Sequence, residues 1–460
     1  MITYSIIKKN ELEGARRLDA EYYQPEYLSV GDNLRSSPLL FDVSKKITDF
    51  GAYSQMNFVN FVQKGVRFLR NQDIGEFLIN DSDPIYISKE VYEKLSLKLK
   101  KFDIVTPRVG TLGNAAVIFD ENLPSTANQN LAQIVPDLNK INPIYLAIFL
   151  CSKYGRKQFE RAATGNVQPW LNLSQIKNLK VFVPSGSSQS IIEKLARDSS
   201  NKQKMANKFY YQAEELLLKE LGLKNAVFED ELSYVVNFSD AKNADRIDAE
   251  YFHPKYVEIL QKLKHHKVET LTENFEILRG KNFSYSEDGE IGVIKTKQLG
   301  RQFIDFGVED KTKKETVKKE NLPIIENFDV IFASMGVGSL GKTNIFYDFE
   351  NETGEFTIDS TLRIFRKREN GNLLSEVLSV YLSSRIGQEL IYKYVVGSSG
   401  IISIYENYLE SFQLPILEKT VQKKIADLFK KSHEARKKSK ELLEEAKRKV
   451  EEMIEKGNIS

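Results

Sequence analysis

The chain has 460 residues and a mass of 52.8 kDa, room for about two to four domains. Hydrophobic residues make up 41% and charged residues 28%, ordinary globular usage that excludes broad disorder. A net charge of +2 gives no overall basic footprint, and the single cysteine, Cys151, excludes a disulfide scaffold or a multi-cysteine metal site. No apolar run nears the roughly 20 residues of a membrane span, and the opening MITYSIIKKN lacks a signal-peptide layout. A soluble, cytoplasmic protein with no membrane contact is expected.

In chain order, residues 17–27 read RLDAEYYQPEY. Short β-branched and aromatic runs follow at Val66–Leu69, Ile104–Thr106, Val117–Phe119 and Val181–Val183, separated by Gly/Asn/Ser turns. A helix is predicted near Pro143–Arg161. Pro184 and the cluster Ser185–Ser188 then stop the last strand and supply caps for a long helix, roughly Ser188–Leu221. Its apolar positions Ile192, Leu195, Ala196, Ala206, Phe209, Ala213, Leu216 and Leu217 fall largely at three-and-four spacing, and Gly222 is its stop.

The second half repeats this order. Residues 246–256 read RIDAEYFHPKY, with seven of eleven positions identical to 17–27. FDIVTPRVGTLGN (102–114) returns as FDVIFASMGVGSLGK (328–342), and LAIFLCSKYGRKQF (146–159) as VLSVYLSSRIGQEL (377–390). A second long helix, roughly Glu418–Lys456, places Ile425, Leu428, Phe429, Leu442, Leu443, Ala446, Val450, Met453 and Ile454 on one face. At 1.5 Å per residue the two helices span about 50 and about 58 Å. Each is rich in Lys and Glu off its stripe, so each is the obvious partner of the other. The fold class expected is α+β: two pseudo-repeated α/β domains joined by two long antiparallel coiled-coil helices. The boundaries are 1–184 for the first domain, 185–228 for the central helix, 229–416 for the second domain and 417–460 for the distal helix.

A duplicated α/β unit, each copy followed by a long helix, resembles the specificity (S) subunit of type I restriction–modification enzymes. The resemblance covers essentially the whole chain. It rests on the repeated R-[LI]-D-A-E-Y-[YF]-x-P-x-Y opening and on Gly165–Pro184, which is similar to the family's closing segment and is matched by Leu414–Pro415. The family's frequent Pro-x-x-Glu-Gln step into the helix is absent; the steps here are Pro184-Ser-Gly-Ser-Ser-Gln189 and Pro415-Ile-Leu-Glu-Lys-Thr420. The resemblance implies a non-catalytic chain. Two target-recognition domains would read an asymmetric, split sequence in double-stranded DNA through the major groove. The helices would fix the gap. Two methyltransferase (M) subunits, and restriction (R) subunits in the full enzyme, would dock on it. S-adenosylmethionine and ATP/Mg would sit on those partners, with no cofactor or metal in this chain. The alternative within the class is a specificity chain of a type II (IIB/IIG-like) enzyme. A scaffold on the long helices with no role in DNA binding is a further alternative.

Candidate DNA contacts come from side-chain type and placement. Arg67, Arg70, Asn71 and Gln72 lie at a strand end before Gly75, matched by Lys295, Lys297 and Gln298 before Gly300, with Arg301 beyond. Asn166, Gln168, Trp170 and Asn172 form a loop dense in base-reading types, in which Trp170 either wedges against bases or closes the core. Lys140, Lys153, Arg156, Lys157, Arg161, Lys177 and Lys180, against Glu160 alone, form either a phosphate-facing surface or a solvated helix face. Arg108 and Lys342 are placed to reach phosphates from turns. Arg17, Asp19 and Tyr22, with Arg246, Asp248 and Tyr251, recur at fixed spacing. They are read as Arg–Asp pairs and aromatics packed on the long helices, or as contacts to the methyltransferase.

Rival motifs are weaker. Gly336-Val-Gly-Ser-Leu-Gly341-Lys342-Thr343 matches the P-loop pattern of a nucleotide hydrolase, but a P-loop needs a helix at Lys-Thr, and Asn344–Phe349 is strand-like. Strand–turn–strand is expected there. Asn142-Pro-Ile-Tyr145 is similar to an adenine methyltransferase tetrad, yet Asn142 as a helix cap with Pro143 in the first turn accounts for it. Val135-Pro136-Asp137 lacks the acidic-x-Lys partner of a nuclease core, and His265 and His266 sit among lysines as surface residues.

Overall fold

The computed structural model describes the chain except residues 1–3, 10–11, 13–16, 52–58, 82–83, 166–167, 229–230, 301–302, 348–353, 398–399 and 458–460. It divides into two compact units, Met1–Gln203 with Lys438–Ser460, and Lys204–Lys437.

In the first unit, strands Ser44–Asp49, Leu131–Pro136, Ile104–Pro107 and Ala116–Val117 form an antiparallel sheet in that order. A second sheet orders Phe61–Val62, Ile85–Ile87, Val66–Leu69 and Ser125–Ala127, the last two parallel. Both strands of the parallel pair are wholly buried, as this arrangement requires. In the second unit, Phe275–Arg279, Leu362–Lys367, Val330–Ala333 and Thr343–Ile345 repeat the first sheet. Lys311–Thr312, Ile291–Ile294 and Phe356–Ile358 repeat three of the four strands of the second, again with one parallel pair. Even the turns agree. Phe102 and Phe328 both take φ of 70°, each before a buried aspartate, Asp103 or Asp329, that accepts the backbone N–H of Lys100 or Glu326.

The single helix predicted at Pro143–Arg161 is two, Pro143–Cys151 and Lys153–Ala162. Every residue of the first is buried, so it is apolar all round, and the second carries a wet face. Ser152 ends one and caps the other: its Oγ donates to the Phe149 carbonyl at 2.6 Å and its backbone leaves the helical region. Ser384 does the same between Ser375–Ser383 and Arg385–Lys393. Gly155 and Gly387 follow three residues later, where a Cβ would run into the carbonyls of Phe149 and Leu150, or of Tyr381.

The long helices run Gly186–Glu220 and Lys419–Gly457 and pack on each other antiparallel. Within the first unit, Ile192 and Ala196 share a core with Ala446, Val450, Ile454 and the apolar helix. Ser199 and Ser439 exchange hydroxyl-to-carbonyl bonds of 2.8 Å, which small side chains permit by letting the backbones approach. Within the second unit, Tyr210, Ala213 and Leu217 pack with Ile425 and Phe429, and the Ser432 hydroxyl donates to the Ala206 carbonyl at 2.8 Å. Gly222, at φ of 68°, ends the central helix, and Leu223 N–H closes onto the Leu218 carbonyl in the 6→1 pattern of a Schellman cap.

Two buried glutamines fasten these helices to the domains. Gln189 Oε1 accepts Asn142 N–H at 2.8 Å while its Nε2 donates to the Pro184 carbonyl at 2.9 Å. Gln422 Oε1 accepts Leu374 N–H at 2.9 Å while its Nε2 donates to the Leu417 and Asn372 carbonyls. The departure from Pro-x-x-Glu-Gln leaves a glutamine with the same task in both copies.

Candidate nucleic-acid interface

In each unit four loops come together at one edge of the sheets. In the first, Val109 pairs with Trp170 across an isolated bridge, and Asn71 Nδ2 donates to the Val109 carbonyl at 2.8 Å. Arg108 N–H donates to the Asn130 carbonyl at 2.8 Å, and Leu171 N–H to the Arg108 carbonyl at 2.8 Å. Residues 70–73, 108–114, 128–130 and 168–172 thus share a rim. In the second unit Met335 pairs with Ser403, and Gly336 N–H donates to the Ile402 carbonyl at 2.9 Å. Ser334 N–H reaches the Thr361 carbonyl at 2.9 Å and Asn344 Nδ2 the Gly300 carbonyl at 3.4 Å, giving the same rim from 295–300, 334–342, 359–361 and 400–404.

Several candidates sit on this rim, and some are spent within the fold. Trp170 is 45% exposed, so it does not close the core; its ring is open while its backbone is held by two bonds to Thr164. Gln72 and Gln168 are exposed beside it. Arg108 is on the rim, but its guanidinium is held by Asp49 at 2.7 Å and by the Leu171 carbonyl at 3.1 Å. Arg70 is anchored on Asp73 at 3.1 Å. Asn172 caps the short helix Leu173–Lys177, whose last residue, Lys177, is half-buried.

Arg67 must be withdrawn as a base contact. It is 9% exposed, its guanidinium reaches the carbonyls of Asn80 and Ile85, and it lies 3.5 Å from buried Asp73. Gln298 is withdrawn for the same reason: it is buried, and its Oε1 accepts Lys295 N–H at 3.1 Å, the counterpart of Asp73 accepting Arg70 N–H at 2.8 Å. Lys295 is half-buried against Asp310 at 2.9 Å and over the Tyr285 ring at 4.1 Å, while Lys297 is exposed. Asn166 and Arg301 lie outside the described residues.

Lys342 is half-buried in a strand–turn–strand, as expected. Gly336, Gly338 and Gly341 take positive φ, Thr343 opens a strand, and its buried hydroxyl donates to the Gly341 carbonyl. No helix amides face a phosphate there. Asn142 caps its helix through Ile144 and Tyr145 N–H groups.

Most of the basic side chains between Lys140 and Lys180 are paired within the fold, while Lys153 is exposed. Arg156 pairs with Glu76 at 2.5 Å, Lys157 with Glu26 and Glu160, and Lys140, Arg161 and Lys180 donate to the carbonyls of Asp42, Tyr22 and Arg35. Glu76 is half-buried, which alone would push its carboxyl up. Lys447 and Arg156 outweigh this and hold it below the usual range.

Tyr22 and Tyr251 of the repeated openings pack against the second helix of each helix pair, while Tyr256, at the end of the second opening, shares a core with Tyr210, Ala213 and Leu217 of the central helix. Arg17 and Arg161 lie 4.4 and 4.3 Å from the Tyr22 ring centroid, and Arg17 pairs with Asp19. Arg246 and Lys393 lie 4.6 and 3.6 Å from the Tyr251 ring, and Arg246 pairs with Asp248. Burial lowers the Lys393 ammonium to about 8. Beside each brace an apolar side chain stands in solvent, Leu18 at 82% and Ile247 at 96% exposed.

The sequence reading missed the rim loop Asn128-Gln129-Asn130; three amides in a row between two strands were the available signal.

No family model matches the chain. Among solved structures, the chain is similar to the S subunit of a type I restriction–modification system from M. genitalium, at 12% identity and a TM-score of 0.40, covering 90% of this chain and 95% of that one. It is also similar to the HsdS subunit from Thermoanaerobacter tengcongensis, at 13% identity and a TM-score of 0.29, covering 91% and 95%. Among curated proteins, the type I restriction enzyme MjaVIII specificity subunit of Methanocaldococcus jannaschii is 22% identical over 162 residues, which is 34% of this chain and 38% of that protein. That relative is a member of the family the duplicated sequence resembles, the type I restriction–modification specificity subunits.

Proposed function

We propose that this chain reads DNA sequence for partner enzymes and makes or breaks no bond itself. Each unit presents its rim to one part of an asymmetric, split target, with the long helices setting the number of unread base pairs between the parts. The observation that carries this reading is the contrast within the duplication. The order of the first sheet, the parallel pair, the helix pair, the glutamine fastening and the aspartate-capped turns are the same in both units, whereas the rims hold Gln72, Gln168 and Trp170 in one and Lys297 and Ile401 in the other. Two readers of different sequences need a common frame with different base contacts. The openings, with Leu18 and Ile247 exposed beside the braces, dock two methyltransferase subunits, and restriction subunits join that complex. S-adenosylmethionine and ATP/Mg belong to those partners.

The test is to co-express the chain with its methyltransferase and map methylated adenines across a host genome. A split, asymmetric motif that vanishes when this gene is deleted is the expected result, with binding that weakens steeply as salt rises. A complex with no preference for any split sequence would overturn the proposal.

A further inference from the structure

The repeated openings are braced in the same way in both units, except for one side chain. In the first, Arg161 Nε donates to the Tyr22 carbonyl at 3.0 Å while its guanidinium stands over the Tyr22 ring. In the second, Lys393 Nζ donates to the Tyr251 carbonyl at 2.7 Å and stands over the Tyr251 ring. A guanidinium keeps its charge at every working pH, whereas an ammonium can lose it.

Lys393 sits where a charge is poorly accommodated. It is half-buried, and its hydrogen bond goes to a carbonyl, not to a carboxylate. It shares the Tyr251 ring with a second cation, Arg246, which is committed to Asp248 and to the Val395 carbonyl. Glu389, on the same helix as Lys393, and Glu250, in the opening, both pair with Lys255. His253, Tyr256, Tyr394 and Tyr408 complete the surroundings. Burial, and after it the Arg246 charge, brings the Lys393 ammonium down to about 8, while burial pushes Tyr251 up and Tyr394 up to about 12.

We propose that residues 246–256 form a proton-sensitive latch, closed more firmly when Lys393 is neutral, and that residues 17–27, braced by Arg161, form the same latch without the sensitivity. A lysine released by opening of the segment holds its proton to about pH 10.4. Between about pH 8 and that value the open form binds more protons than the closed form, so rising pH favours closure. Ile247 rides on this segment, so partner docking follows pH at the second opening and not at the first; that consequence rests on the specificity-subunit reading, and the latch itself does not.

The experiment is hydrogen exchange of the full chain, read by mass spectrometry at pH 7 to 9, a window above the ordinary carboxyl and histidine ranges. Peptides covering 17–27 in the same sample supply the reference. Exchange of 246–256 relative to 17–27 should slow about 3- to 10-fold across the window; tenfold is the full effect of one proton, reduced here because Lys393 is partly exposed. Lys393→Arg, which copies the brace of the first unit, should abolish the trend, and Arg161→Lys should give it to the first opening. A constant ratio in the native chain, or a trend that survives Lys393→Arg, overturns the proposal. Should Lys393→Arg not fold, Arg161→Lys decides in its place, and a first opening that stays insensitive overturns it. Methyltransferase loading at pH 7 and 9, followed by native mass spectrometry, tests docking separately: loading that ignores pH beside an intact exchange trend sinks the docking consequence alone.

Discussion

Replacing Gln422 by alanine removes three hydrogen bonds at a site only 2% exposed. Leu374 N–H, immediately before helix Ser375–Ser383, loses its acceptor, and the carbonyls of Asn372 and Leu417 lose a donor. Each made bond contributes about 0.5–1.5 kcal/mol, and an orphaned buried N–H costs about 1–3 kcal/mol, so the total is about 2–4 kcal/mol. For a unit of this size that lowers the melting transition by roughly 5–10 °C. Glutamate is no rescue, because it keeps an acceptor for Leu374 but sets a carboxylate against two carbonyls. The assay is thermal and urea unfolding of the full chain, with limited proteolysis to locate the loosened unit. Exposed Lys423→Ala is the control. If Gln422→Ala and Lys423→Ala melt alike, the fastening role is refuted.

Gly155→Ala and Gly387→Ala should each destabilise by about 1–3 kcal/mol in urea unfolding, because a methyl group would meet backbone carbonyls that cannot move; Gly186→Ala, with nothing near its Cβ position, should not. Glu76 has its pKa held below the unfolded value, so its contribution is complete above about pH 4.3 and is lost as pH falls through its lower folded value. Acid titration of stability should show this loss, and Glu76→Gln should remove it while costing about 1–2 kcal/mol at pH 7, a figure discounted for the partial exposure of Arg156. The chain alone should show no saturable ATP binding by calorimetry at millimolar nucleotide; micromolar binding abolished by Lys342→Ala would contradict the strand–turn–strand geometry of residues 330–345.

The long helices were legible because their burial follows three-and-four spacing over ten turns, and duplication supplied an internal check on every element. The break at Ser152 was not, because PIYLAIFLC and the residues after it read as one apolar-to-amphipathic helix. Only the repeated Ser-x-x-Gly, at 152–155 and 384–387, marks the corner. Arg67 was misjudged because burial of an arginine depends on Asp73, six residues on and around a turn. The pairing of the basic stretch was hidden for a similar reason: its counter-charges, Glu26 and Glu76, come from segments far away in sequence. Gln422 lies two residues past the step at which the motif was sought.

The residues that hold each unit together and the exposed side chains on its rim are largely separate sets. Serine corners, glutamine clasps and the tyrosine braces take no part in the rim, and the exposed ring of Trp170 takes no part in the fastening. Such a separation frees one set to drift while the other stays put. New recognition can then be acquired by exchanging a few short loops, without re-evolving a foldable protein each time.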